Sequence, residues 1–258
     1  MNTIWIGWMK RARRWAGSPL ALASAGSLAV AVALAGCENV QSYTEPSLVR
    51  VIDASYIAPA VNVTVEGLLL AGNIGQGART PYGTVPANNA APIDVTAASG
   101  GSTLVSTAGT LLSGKQHSIF LTDNGAATNG YEVTILEDAM QPAAQGHSAF
   151  RFLNQAPKTG AVDVYMVPAG ITLANAIPIL TALPVGTTSA YISFDSQTVT
   201  MVITPTGLTT PKYTSTAIAL VGGEECTVLI YDTQLTSDPP AKVTMWTDAG
   251  PATCSNTN

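Results

Sequence analysis

Two histidines, His117 and His147, are the only side chains of this sequence whose ordinary pKa suits proton transfer near neutrality. A hydrolase needs a nucleophile, a base and a group that orients the base. His117 falls in an expected strand, and His147 falls in the linker "QPAAQGHS". The sequence contains neither the G-x-S-x-G elbow nor the H-E-x-x-H helix. Both histidines therefore read as structural. The stretch "DNGAATNG" (123–130) has the oxygen donors and glycines of a calcium loop. It lacks carboxylates at alternate positions and a closing bidentate Glu, so it reads as a hairpin loop. No metal and no cofactor is expected. Arg50 and Arg151 occupy equivalent places in two similar stretches of the chain. A guanidinium can read a carboxylate or phosphate ligand in a bidentate way. An ion pair with a carboxylate of the same stretch, such as Asp138 or Asp248, is the favoured reading. Tyr56, Tyr82, Tyr165, Tyr191, Tyr213 and Trp246 are spread along the chain and read as core or interface packing, not as a sugar-stacking platform.

The three cysteines carry the clearest chemistry. Lys10, Arg11, Arg13 and Arg14 form a basic cluster, and no residue from Trp15 to Ala35 is charged. A basic segment, an apolar run and small residues before a cleavage point make a secretory signal peptide. Pro19 and the small residues at 17, 18, 24 and 26 argue against a membrane-spanning helix. The run ends in Leu34-Ala35-Gly36-Cys37, which resembles the bacterial lipobox. That resemblance implies cleavage before Cys37, with acyl chains on its thiol and new amino terminus. Two or more chains anchor a protein stably where one does not. The membrane is thus the first expected partner. Glu38, in place of Asp, favours the outer membrane under the sorting rule of such lipoproteins. Residues 37–47 read as a flexible tether.

Without residues 1–36, 222 residues remain, with seven basic and sixteen acidic side chains and a net charge of −9. No nucleic-acid partner is expected, because such binding needs clustered Lys and Arg. Charged residues make up only 10% of the chain, while Thr, Val, Ser, Ala and Gly abound. This composition suits pleated sheet.

A repeat organises the rest. "VRVIDASYIAPAVNVTV" (49–65) lies over "FRFLNQAPKTGAVDVYM" (150–166) without a gap, at a shift of 101. Arg50 falls on Arg151 and Asp53 on Asn154. "LLSGKQHSIFLTD" (111–123) matches "LVGGEECTVLIYD" (220–232) at 109, and "VTILEDA" (133–139) matches "VTMWTDA" (243–249) at 110. Each copy reads as six to eight short strands with Gly-, Asn- and Pro-rich turns between them. The expected fold is all-β: two tandem β-sandwiches, 48–146 and 147–258, with the long segment 67–91 and the stretch 205–213 as the loops expected to carry a binding surface.

The block "VRVIDAS…APAVNVTVEG", followed by an L-x-x-G-K turn into an apolar strand, resembles the bacterial family catalogued as domain of unknown function 4397. The resemblance implies immunoglobulin-like sandwiches, often tandem and lipid-anchored, and assigns no functional residues. The function that follows is a lipid-anchored cell-envelope module, non-catalytic, binding or structural, with envelope proteins or glycans as partners. The alternative is an enzyme acting on glycans or peptidoglycan, since some glycosidases need only two carboxylates. Cys226 and Cys254 remain once Cys37 is lipidated. In an oxidising compartment they form the candidate disulfide that pins the C-terminal tail.

Overall fold

A computed structural model describes residues 44–123, 130–234, 240–250 and 254, which belong to one compact unit beginning at Thr44. The expected leader 1–36, Cys37, most of the expected tether and residues 124–129 of the stretch weighed as a calcium loop lie outside the described residues.

The first copy holds β1 (Ser47–Asp53), β2 (Val61–Val65), β3 (Leu68–Ile74), β4 (Gly83–Val85), β5 (Asn88–Ala97), β6 (Thr103–Leu111), β7 (Gln116–Asp123) and β8 (Tyr131–Glu137). The second holds β9 (His147–Gln155), β10 (Val162–Pro168), β11 (Leu180–Leu183), β12 (Thr187–Thr188), β13 (Ile192–Asp195), β14 (Thr198–Pro205), β15 (Tyr213–Ala219), β16 (Glu225–Asp232) and β17 (Ala241–Ala249). Strand order is β4-β1-β7-β8 and β3-β2-β5-β6 in the first, β12-β9-β16-β17 and β11-β10-β14-β15 in the second. β1 runs parallel to β7 and β9 parallel to β16, while the other pairs are antiparallel. The two copies are thus β-sandwiches of one topology.

Alternation along β1 explains how they are joined. Val49 and Val51 point into the first sandwich core with Val61, Val63, Val65 and Ile119. Their neighbours Arg50 and Ile52 therefore point the other way, and they are buried too. β9 repeats the pattern, with Phe150 and Phe152 in the second core and Arg151 and Leu153 on the opposite face. A third cluster holds Ile52 and Phe120 of the first copy with Leu153, Leu229, Tyr231 and Trp246 of the second. The sheet β4-β1-β7-β8 is thus packed face to face on β12-β9-β16-β17. Strands buried on both faces read as continuous apolar runs, as "SIFLT" in β7 and "CTVLIYD" in β16 do.

The segment 67–91, expected to be a surface loop, instead contains β3, β4 and the start of β5. β3 is an edge strand with few buried side chains, so its sequence carries little alternation. Segment 205–213 is mostly loop, between β14 and β15. The rise in repeat shift from 101 to 109 is also located. β2 and β3 are joined by the two-residue turn Glu66-Gly67, both with positive φ, as a tight hairpin requires. β10 and β11 are joined by residues 169–179, which include a short 3-10 turn, Leu173–Asn175.

Candidate functional site

The junction between the copies gathers most of the ionisable groups that the repeat preserves. Arg50 donates from Nε to Ser118 Oγ of its own copy (2.6 Å). It then reaches across the junction, from Nη1 to the Thr247 carbonyl (3.1 Å) and from Nη2 to Asp248 Oδ1. Arg151 does the same in reverse. Its Nε donates to Thr227 Oγ1 of its own copy (2.6 Å), its Nη1 to the Glu137 carbonyl (2.9 Å) and its Nη2 to Asp138 Oδ1. The expected ion pairs within one copy are therefore corrected: each arginine makes its hydrogen-bonded pair with the aspartate of the other copy. The same-copy pairs are longer, Arg50 to Asp138 at 3.4 Å and Arg151 to Asp248 at 3.9 Å.

The carboxylates are fully engaged. Asp138 Oδ2 accepts from Ser118 Oγ and from Tyr82 Oη, both at 2.7 Å. Asp248 Oδ2 accepts from Thr227 Oγ1 (2.6 Å) and from Tyr191 Oη (2.7 Å). Each tyrosine also lies against the arginine of its own copy, Tyr82 4.7 Å from the Arg50 guanidinium carbon and Tyr191 5.0 Å from that of Arg151. The Trp246 ring lies 5.4 Å from Arg50. Burial pushes the Tyr82 and Tyr191 hydroxyls up, and the nearby carboxylates add to it, so both stay protonated donors. Burial alone would lower the pKa of Arg151. Asp248 and Asp138 outweigh it and raise the value. Two cations and two anions thus cancel inside an environment that excludes water. Such a group costs little only when every member is hydrogen-bonded, as here.

Tyr82, Tyr191 and Trp246, read from the sequence as scattered, are thus brought together around the arginines. A sequence pattern does mark the two tyrosines: Gly77-x-x-Thr80-x-Tyr82 recurs as Gly186-x-x-Ser189-x-Tyr191. In each copy the Thr or Ser hydroxyl accepts from the opening strand, at Val51 N (3.0 Å) or Phe152 N (2.9 Å). The other aromatics lie elsewhere: Tyr213 is in the second core, Tyr165 is half-buried on β10, and Tyr56 has Lys158 Nζ 5.6 Å from its ring centre.

The histidines are also placed. His117 is buried; its Nδ1 bonds Ser47 Oγ (2.9 Å) and its Nε2 accepts from Leu112 N (3.4 Å). Burial lowers its pKa and keeps it neutral, as an accepting Nε2 requires. His147 lies at the surface, 3.1 Å from Asp195 Oδ1. Cys226 and Cys254 are joined in a disulfide, with the Cys254 amide donating to Thr247 Oγ1 (2.8 Å). Glu224 lies beside the bridge, completing the one trio of potential metal ligands among the described residues. Both sulfurs of that trio are spent in the bridge.

Paired sheets, equivalent strand orders and a shared charged junction define a tandem β-sandwich protein. Residues 47–165, which span the first copy, β9 and part of β10, match the family described as Domain of unknown function (DUF4397). No curated protein matches the chain. Among solved structures, a similar one is the crystal structure of CBMbc (family CBM26) from Eubacterium rectale Amy13K in complex with maltoheptaose. It shares 10% identity over 79% of this chain and 98% of that one, with a TM-score of 0.22.

Proposed function

We propose that this chain is a lipid-anchored module of the bacterial cell envelope, held in the outer membrane through acyl chains on Cys37. It presents its two sandwiches as one stiff, non-catalytic body with a binding or structural role. The observation that carries the reading is the junction. The arginines, aspartates and tyrosines that the two copies share are spent on one another, so they act as a strut and are not offered to a substrate. The surface left for a partner is the loops on that frame, where function commonly lives. These include the hairpin bearing exposed Leu68 and Leu69 and the connection 169–179 bearing exposed Ile171 and Ile177. The Leu-Ala-Gly-Cys ending supports the anchor. Mass spectrometry of the native N-terminal peptide tests it: an acylated Cys37 is expected, and an intact leader or a free Cys37 thiol overturns it. Crosslinking in intact envelopes, run beside a glycan array, tests the role. Specific capture of an envelope protein or a glycan is expected. Turnover of an array glycan would overturn the non-catalytic reading.

A further inference from the structure

Asp53, the last residue of β1, is completely buried, and its Oδ2 has no hydrogen-bond partner. An ionised carboxylate oxygen left unpaired in a dry interior carries a heavy desolvation cost. The repeat supplies a comparison inside the same molecule, because Asn154 holds the equivalent place in β9. The backbones match: Gly77 N donates to the Asp53 carbonyl (2.7 Å) and Gly186 N to that of Asn154 (2.8 Å). The side chains match as well. Asp53 Oδ1 accepts from the amide two residues on, Ser55 N, at 3.0 Å, and Asn154 Oδ1 accepts from Ala156 N at 3.0 Å. With the first oxygens in register, Oδ2 of Asp53 takes the place of Nδ2 of Asn154.

That nitrogen is a donor. Asn154 Nδ2 gives hydrogen bonds to the carbonyls of Gly160 (3.0 Å) and Leu183 (2.9 Å). In the first copy the matching carbonyls belong to Pro59, at the shift of 101, and Ile74, at 109. Ile74 pairs with Val61 as Leu183 pairs with Val162. A fold that presents acceptors at this place demands a donor, and a carboxyl group can be one only with a proton on it. We infer that Asp53 is a protonated carboxylic acid in the folded protein, its Oδ2–H standing in for the amide of Asn154, so that at this place the first sandwich depends on a proton where the second uses an amide.

The surrounding charges favour the neutral form. β2, β3 and β4 carry no ionisable side chain. From β7, Asp123 faces the same turn, where its carboxylate accepts from Ser55 Oγ and from Tyr56 N (2.7 Å). Arg79, beside β1, interacts instead with Arg50, Tyr82 and Asp248. Burial first, with Asp123 adding to it against the bond from Ser55 N, raises the Asp53 carboxyl to about 7. The folded state then holds a proton that the unfolded chain releases near pH 4. The stabilising effect of that proton is present in full at low pH and is lost as pH rises from about 4 to about 7. A shift of about three pKa units corresponds to a thousandfold change in the folding equilibrium.

The test is urea denaturation of the full chain in detergent from pH 5 to 9, for wild type and Asp53→Asn. Taking the difference between the two removes the contribution of His117, which has the opposite sign. D53N is expected to match or exceed wild type at pH 8, and its advantage should shrink at least tenfold in equilibrium constant by pH 5.5. Asn154→Asp should give the second copy the same sensitivity. A D53N protein that is less stable than wild type at pH 8, or a difference that is flat with pH, overturns the inference. Should D53N fail to fold, infrared spectroscopy of the Glu224→Gln variant decides, since it removes the other buried carboxyl that burial shifts upward. A buried protonated-carboxyl band present at pH 5.5 and lost by pH 9 supports the inference, and its absence at pH 5.5 overturns it.

Discussion

The crossed ion pairs make a quantitative prediction that same-copy pairs would not. Arg50 is 1% exposed and both aspartate side chains are fully buried, so solvent does little to screen the junction. Replacing Arg50 with Met leaves two buried carboxylates facing one cation, a loss of about 3–5 kcal/mol for a buried pair broken on one side. More telling is which aspartate Arg50 is coupled to. At 3.4 Å from Asp138 the guanidinium feels a Coulomb attraction comparable to the one it feels from Asp248. Only Asp248 also receives its hydrogen bond. A charge-assisted hydrogen bond adds about 1.5–3 kcal/mol. The coupling of Arg50→Met with Asp248→Asn should therefore exceed that with Asp138→Asn by about this amount. Two double-mutant cycles by urea denaturation of the full chain measure it. The mirror pair of cycles on Arg151 should favour Asp138. Equal couplings, or a stronger one within a single copy, would refute the crossed arrangement.

Other outcomes follow from the same junction and its surroundings. Gly77 has φ +78, and a Cβ there would lie 2.6 Å from the Tyr231 hydroxyl of the other copy; Gly77→Ala should cost about 1–3 kcal/mol in thermal denaturation through backbone strain and overpacking. The Cys226–Cys254 bridge closes a loop with a sequence separation of 28, so Cys226→Ala with Cys254→Ala should lose about 3–4 kcal/mol, and thiol labelling without reductant should find both cysteines protected. His117 resists protonation in the fold, so its contribution is present above about pH 6.5 and lost as pH falls; His117→Gln should flatten that acid-side loss in a denaturation series. A protease site placed at 140–146 should yield two halves, each with its own sandwich core, that stay associated on gel filtration through the shared Ile52, Phe120, Leu153, Leu229 and Trp246 cluster.

Legibility from the sequence ran out at a definable point. The doubled blocks around Arg50 and Arg151 were enough for an all-β chain of two like sandwiches, because Val61, Val63 and Val65 alternate and turn residues separate the runs. They were also enough to pick out the arginines and both aspartates as belonging together. They pointed to the aspartate of the same copy, and the structure corrects that choice. When two copies of a repeat pack against each other, Arg50–Asp138 and Arg50–Asp248 are equally consistent with the repeat, since duplication writes both partners twice. The choice is made by the strand face. Arg50 alternates with the core residues Val49 and Val51, so it must leave its own sandwich, and the surface it meets there is the other copy's last strand. The apolar residues on that face held the clue. Ile52, Phe120 and Trp246 are spaced to point away from their own cores, and a face that is apolar on both sides of a sheet needs a second layer to cover it. A tandem repeat whose opening strand is apolar on one face and carries Arg and Ile on the other can therefore be read as two halves folded against each other, with the buried charges exchanged between them.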